Sequence, residues 1–160
     1  MHHVRTNKET HKTWCGSTEI KLTLSEFKLL SNWELGFYDL TVNKITVFNQ
    51  LEKGDFAIKP ADDVFKEEAT KIEELDQINK VTLGFDEVKS IFESKAPEFF
   101  PQELLGGGFI ILQKLNGKVM WNVTFITRTV KFANLKIDAE SGEIIAHDLI
   151  NFVEKQLKKK

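Results

Sequence analysis

Asn116-Gly117 stands between two runs of alternating character, FIILQKL and KVMWNVTFIT. Such a dipeptide suits the two positive-φ positions of a two-residue turn, so it specifies a β-hairpin. The turn also sets the register. Leu115 falls opposite Lys118, Leu112 opposite Trp121 and Ile110 opposite Val123. With Val119 and Phe125 these make one strongly apolar face. The other face pairs Gln113 with Met120, Ile111 with Asn122 and Phe109 with Thr124, and is mixed. A looser turn over 138–142 joins two further extended runs. Residues 106–149 therefore read as an antiparallel meander of four strands.

Two strands with one clean apolar face need a helix or a second sheet against it. The nearest candidate precedes the meander, where Phe85, Val88, Ile91 and Phe92 recur at helical spacing. Pro97 is expected to end that helix, because the residue before a proline avoids helical geometry. EFFPQELL then forms a loop that presents Phe99, Phe100 and Pro101, and Gly106-Gly107-Gly108 leads into the first meander strand as an entry or bulge.

The chain before residue 82 is harder to read. Residues 1–16 are polar, without periodicity, and suggest a flexible arm. Residues 17–24 alternate as a half-buried strand. Phe27, Leu30 and Trp33 fit helical spacing, while FKLL also fits a strand, so 25–33 stays ambiguous. Residues 37–48 are rich in β-branched and aromatic types and read as one long strand or a hairpin. Residues 56–59 form a short strand stopped by Pro60. Asp62 or Asp63 then caps an amphipathic helix over 63–79, with Phe65, Ala69, Ile72 and Leu75 on its buried stripe. At the other end, Leu149, Ile150, Val153 and Leu157 fit a short terminal helix. The expected organisation is an arm (1–16), a strand-rich segment ending in a helix (17–81, with the architecture of a diverged similar unit), and a helix plus meander (82–160). Whether the halves share one sheet stays open.

Composition narrows the function classes. The chain has 160 residues, and its net charge of −2 supplies no field that draws it to nucleic acid or anionic lipid. Thirteen Phe and three Trp can support a sizeable core. Cys15 is the single cysteine, which excludes an internal disulfide. No run approaches the ~18 apolar residues of a membrane span. The first residues show no apolar leader, so a cytoplasmic place is the default expectation, and an extracytoplasmic one follows if a native signal precedes this chain.

Residues 82–149 resemble the PepSY domain, a helix followed by a small antiparallel sheet. The helix is FDEVKSIFESKAP, the paired strands are FIILQKLNGKVMWNVTFIT, and LKIDAESGEII matches the recurrent strand, Asp-Ala-x-x-Gly-Glu, strand ending through Asp138, Ala139, Gly142 and Glu143. The insert EFFPQELLGGG is longer than a plain helix-to-strand link. The resemblance implies an α+β fold of PepSY or cystatin-like type, with helices packed on an antiparallel sheet. It also implies inhibition or binding of another protein rather than catalysis. Physically the signature is a turn: Asp138 accepts backbone hydrogen bonds and Gly142 supplies a positive φ.

No catalytic, cofactor or metal motif stands out. The Gly106 triplet lacks the Lys-Ser/Thr of a phosphate loop and precedes a strand. Nucleophilic catalysis by Cys15 would need a base such as His11 or His147 brought close to it. Glu140, Glu143, His147 and Asp148 gather near the last turn, where a metal would compete with plain solvent exposure. Asn122-Val-Thr124 is a glycosylation sequon placed mid-strand. Three functions follow. The first is a binding module for a protein or peptide, using the Phe99-Phe100-Pro101 loop or the mixed face of Phe109, Ile111 and Met120. The second is a homodimeric structural subunit whose mixed face meets a copy of itself. The third is a small-ligand carrier or enzyme in which His147, Glu143 and Asn122 converge on a pocket. The mixed face is either covered by the N-terminal half or open as a shallow groove.

Overall fold

The computed structural model describes residues 11–22, 26–39, 41, 44–51, 53–63 and 73–151. Among them the chain forms strands β1 (His11–Leu22), β2 (Phe27–Leu29), β3 (Glu34–Asp39), β4 (Lys44–Gln50) and β5 (Phe56–Asp63). A 3-10 turn (Ile78–Lys80) and helix α1 (Phe85–Phe99) follow, and then β6 (Leu105–Leu115), β7 (Lys118–Thr127), β8 (Lys131–Asp138) and β9 (Ile144–Asn151). All the strands belong to one antiparallel sheet in the order β5-β4-β3-β1-β6-β7-β8-β9, with β2 paired to the far end of β1. The halves are thus not separate sheets. The architecture is α+β and mostly sheet.

The hairpin forms in the register set by its turn. Asn116 and Gly117 have φ of 51° and 76°, and Leu112 faces Trp121, Ile110 faces Val123 and Phe109 faces Thr124. The apolar face of β6 and β7 continues onto β8 through Ala133, Leu135 and Ile137, and α1 lays Val88, Phe92 and Ala96 against it. Asp86 and Glu87 sit in the first turn of α1, where the helix dipole favours negative charge. Complete burial of Phe92, Phe125 and Ile110 stabilises this contact by roughly 1.5–3 kcal/mol each. The ambiguous segment resolves as β2, and its Phe27, 1% exposed, enters the same core. Its ring meets Phe85, Phe92 and Phe125 edge-on, with centroids 5.5, 5.7 and 5.1 Å away.

Several expectations change. Residues 11–16 of the proposed arm are strand, because their backbone pairs with β3 and, from Cys15 onward, also with β6; residues 1–10 lie outside the described residues. The helix proposed for 63–79 is not present at either described end. Asp62 and Asp63 pair with β4, and 73–77 is irregular before the 3-10 turn. There Glu73 accepts the Gly117 N–H at 3.0 Å and Asp76 pairs with Lys114 at 2.7 Å, so side chains tie this segment to the hairpin tip. Phe65, Ala69 and Ile72 lie outside the described residues. Pro97 sits inside the last turn of α1 rather than ending it. The proline removes one intrahelical N–H bond, and the helix closes beyond it with Phe100 N–H on Ala96 O at 2.8 Å. Leu149 and Ile150 belong to β9, paired with Ala133 and Phe132, and not to a terminal helix. Val153 and Leu157 lie outside the described residues.

The turn after β8 fastens the linker that precedes α1. Asp138 Oδ1 accepts N–H groups from Glu140 at 3.0 Å and Ser141 at 2.9 Å, and Gly142 takes a φ of 78°. Ala139 is fully buried, and its carbonyl accepts the N–H of Thr82 at 3.0 Å and of Leu83 at 3.2 Å. Leu83 O in turn accepts the Trp121 indole N–H at 3.0 Å. The Ser141 backbone hydrogen bond is the main cause that holds the Asp138 carboxyl below its ordinary pKa.

Two tests follow from this packing. A Cβ built on Gly108 would lie 2.0 Å from Thr124 O, whereas one on Gly107 meets nothing within 4 Å. Gly108→Ala should therefore cost at least about 2 kcal/mol in urea unfolding, and Gly107→Ala much less. Asp138→Ala should destabilise by about 1–2 kcal/mol at neutral pH. The depressed folded-state pKa means that this contribution is present above the unfolded pKa and disappears as pH falls through the folded value. Wild type and Asp138→Ala should converge in stability at strongly acidic pH.

Candidate functional site

The sheet divides the candidate residues between its two sides. Phe99 and Phe100 lie at the end of α1, on the helix side, and Pro101 follows in an exposed turn. Phe109, Ile111 and Met120 project from β6 and β7 on the opposite, outer side. The six residues do not form one surface.

On the helix side the expected exposed loop is largely a packing element. Phe100 is 3% exposed and stacks near Phe92, with ring centroids 6.5 Å apart. It is the first residue beyond the helix, and the chain turns there so that the ring falls back onto the core. Phe99 is half-buried against His147, with centroids 4.1 Å apart and planes 12° from parallel. Pro101 keeps the exposure expected of it.

A polar cluster that sequence reasoning missed closes this end. Glu103 accepts hydrogen bonds from Lys131 Nζ at 2.7 Å and Thr129 Oγ1 at 3.0 Å, and Thr127 Oγ1 lies 2.9 Å from Thr129 Oγ1. The Lys131 hydrogen bond is the main cause that lowers the Glu103 pKa. These contacts hold the β7–β8 turn, in which Val130 takes a φ of 57°. A β-branched residue is strained there, and the surrounding hydrogen bonds hold the conformation in place. No spacing signal marks Glu103, because its partners lie more than 25 residues away in the chain.

The outer face has an apolar rim and a polar middle. Phe109 and Ile126 are 37% and 42% exposed. Ile111 and Phe132 are half-buried. Met120 is 3% exposed, at a position between Gln113 and Asp138 on the neighbouring strands, and so offers little surface to a partner. Between these apolar groups runs a belt of amides and hydroxyls. Asn134 Nδ2 donates to Asn122 Oδ1, and to Thr124 Oγ1 at 2.8 Å. Lys136 lies 4.0 Å from Asp148 on the same face. Asn122 of the sequon is thus engaged within the sheet. The described N-terminal strands prolong the sheet sideways from β6, and Met120, Thr124 and Asn134 on this face are buried.

His147 and Asn122 do not converge on one pocket. His147 is on the helix side against Phe99, while Asn122 is on the outer face with Asn134. His147 and Asp148, successive residues of β9, point to opposite sides of the sheet. Among the described residues no three His, Cys, Asp or Glu side chains gather as a metal site. A depression of about 200 Å³ lies elsewhere, lined by Gln77, Lys80, Gly117, Lys118, Val119, Asp138 and Glu140. No described helix is long and apolar enough to cross a membrane.

No protein-family model matches the chain, and no curated protein matches it significantly. A solved structure described as a "putative lipoprotein" from Clostridium difficile 630 is similar over 89% of this chain and 84% of its own, at 9% sequence identity and a TM-score of 0.49.

Proposed function

We propose that the chain is a non-catalytic binding module whose outer sheet face receives a segment of another protein or a peptide. The observation that carries this reading is the composition of that face. Phe109, Ile111 and Ile126 offer apolar contact, and the part-buried amide of Asn122 stands among them. Apolar side chains beside hydrogen-bonding groups suit a polypeptide, which presents both kinds of surface. Phe109 and Ile126 are the exposed anchors, and Met120 and Phe100 leave the candidate surface because they are buried.

The PepSY-like reading supports the same class. It draws on the order of α1 and the meander β6 to β9, and on the turn built from Asp138 and Gly142. Under this reading the module regulates or inhibits its protein partner, and the strands β1 to β5 are an addition that widens the sheet.

The test is selection of displayed peptides on the immobilised protein, followed by titration of the enriched peptides. Phe109→Ser/Ile126→Ser should weaken binding by roughly tenfold or more, as expected when anchor side chains are removed. Pro101→Ser on the helix side should leave it unchanged. Equal binding to wild type and the double variant would overturn the proposed surface. Failure to enrich any peptide would count against a peptide-binding role.

A further inference from the structure

Strand β5 ends the sheet, so among the described residues its outer backbone row has no strand beside it. Such an edge is a template for pairing with another chain. The side chains of this edge are ordered in an unusual way. Phe56 and Ile58, 52% and 58% exposed, share the α1 side of the sheet with Phe48, which lies opposite Ile58. Asp55, Ala57 and Lys59 alternate with them and fall on the other side.

The stretch Asp55-Phe56-Ala57-Ile58-Lys59 is complementary to itself when it runs antiparallel about Ala57. Asp55 then faces Lys59, Phe56 faces Ile58 and Ala57 faces Ala57. Both faces match at once, with apolar pairs on one and ion pairs on the other, which are the favourable cross-strand combinations. A slip that sets Phe56 opposite Lys59 loses both matches. A slip that centres on Ile58 sets Phe56 opposite Pro60, which has no N–H to give. In the matched register Pro60 falls opposite Gly54, a turn residue with φ of 79°, so each proline lies just beyond the paired segment. Lys59 already meets Glu34 of its own chain, and the facing Asp55 adds a second carboxylate to that ammonium group.

We propose that β5 pairs with β5 of a second copy about a two-fold axis at Ala57, joining two sheets edge to edge. The contact is isologous and closes at two copies. It uses the opposite end of the sheet from β9 and leaves the outer face of β6 to β8 free for the partner proposed above.

The test is sedimentation equilibrium of the full chain from micromolar to several hundred micromolar, with circular dichroism as the check on folding. Wild type should show a monomer–dimer equilibrium. Asp55→Lys sets ammonium groups opposite each other without touching the Lys59–Glu34 pair, and should weaken association by roughly tenfold or more. Asp55→Lys/Lys59→Asp restores opposite charges in the same register and should recover dimer. A wild type that stays monomeric throughout would overturn the proposal. So would a dimer indifferent to Asp55→Lys, which places the contact elsewhere, or a charge-swapped variant that fails to recover.

Discussion

Seven residues of β1 hold the two halves of the chain together. Cys15 pairs with Gln113, Lys21 with Gly107, and the positions between follow in step. The other side of the same strand pairs with β3 from His11 to Ser17 and with β2 beyond it. β1 is therefore an interior strand with backbone partners on both sides. Remove it and β3 to β5 lose their connection to the helix-bearing half, while β6 becomes an exposed edge. Phe27 adds a side-chain link to this backbone link. It arrives from the N-terminal half and fills the space among Phe85, Phe92 and Phe125. Ladder and ring together make the described chain one packing unit.

This arrangement decides which surfaces remain. α1 and Phe27 cover the apolar face of β6 to β8, so the strongest hydrophobic pattern in the sequence is spent on folding. The outer face keeps its amide belt and its exposed Phe109 and Ile126. At the far edge, β5 keeps Phe56 and Ile58 in view. The two surfaces are separated by several strands and share no residues.

The hairpin was legible because its information is local. Asn116-Gly117 fixes the turn, the turn fixes the register, and the register fixes which side chains meet α1. The Asp138 turn was legible for the same reason. What stayed hidden depends on distant partners. His11 to Gly16 has no alternating pattern, yet it is a strand because β3 and β6 satisfy its backbone. Leu149 and Ile150 fit a helical stripe as well as they fit β9, and only pairing with β8 separates the two. Of the candidate surface, Pro101 is exposed as its loop suggests, and Phe109 is 37% exposed on a face whose cover the pattern leaves open. Phe100 is buried because the chain reverses just after the helix, and no spacing rule reports that reversal.

β1 welds both halves into one cooperative sheet. Native-state hydrogen exchange across a urea series, read by peptide mass spectrometry, tests it most directly. Peptides from β3 and β4 and peptides from β7 and β8 should lose protection together, at the same denaturant concentration and with the same dependence on it. Earlier release of β3 and β4 while β7 and β8 stay protected would contradict it, and would make the N-terminal strands a separately unfolding unit.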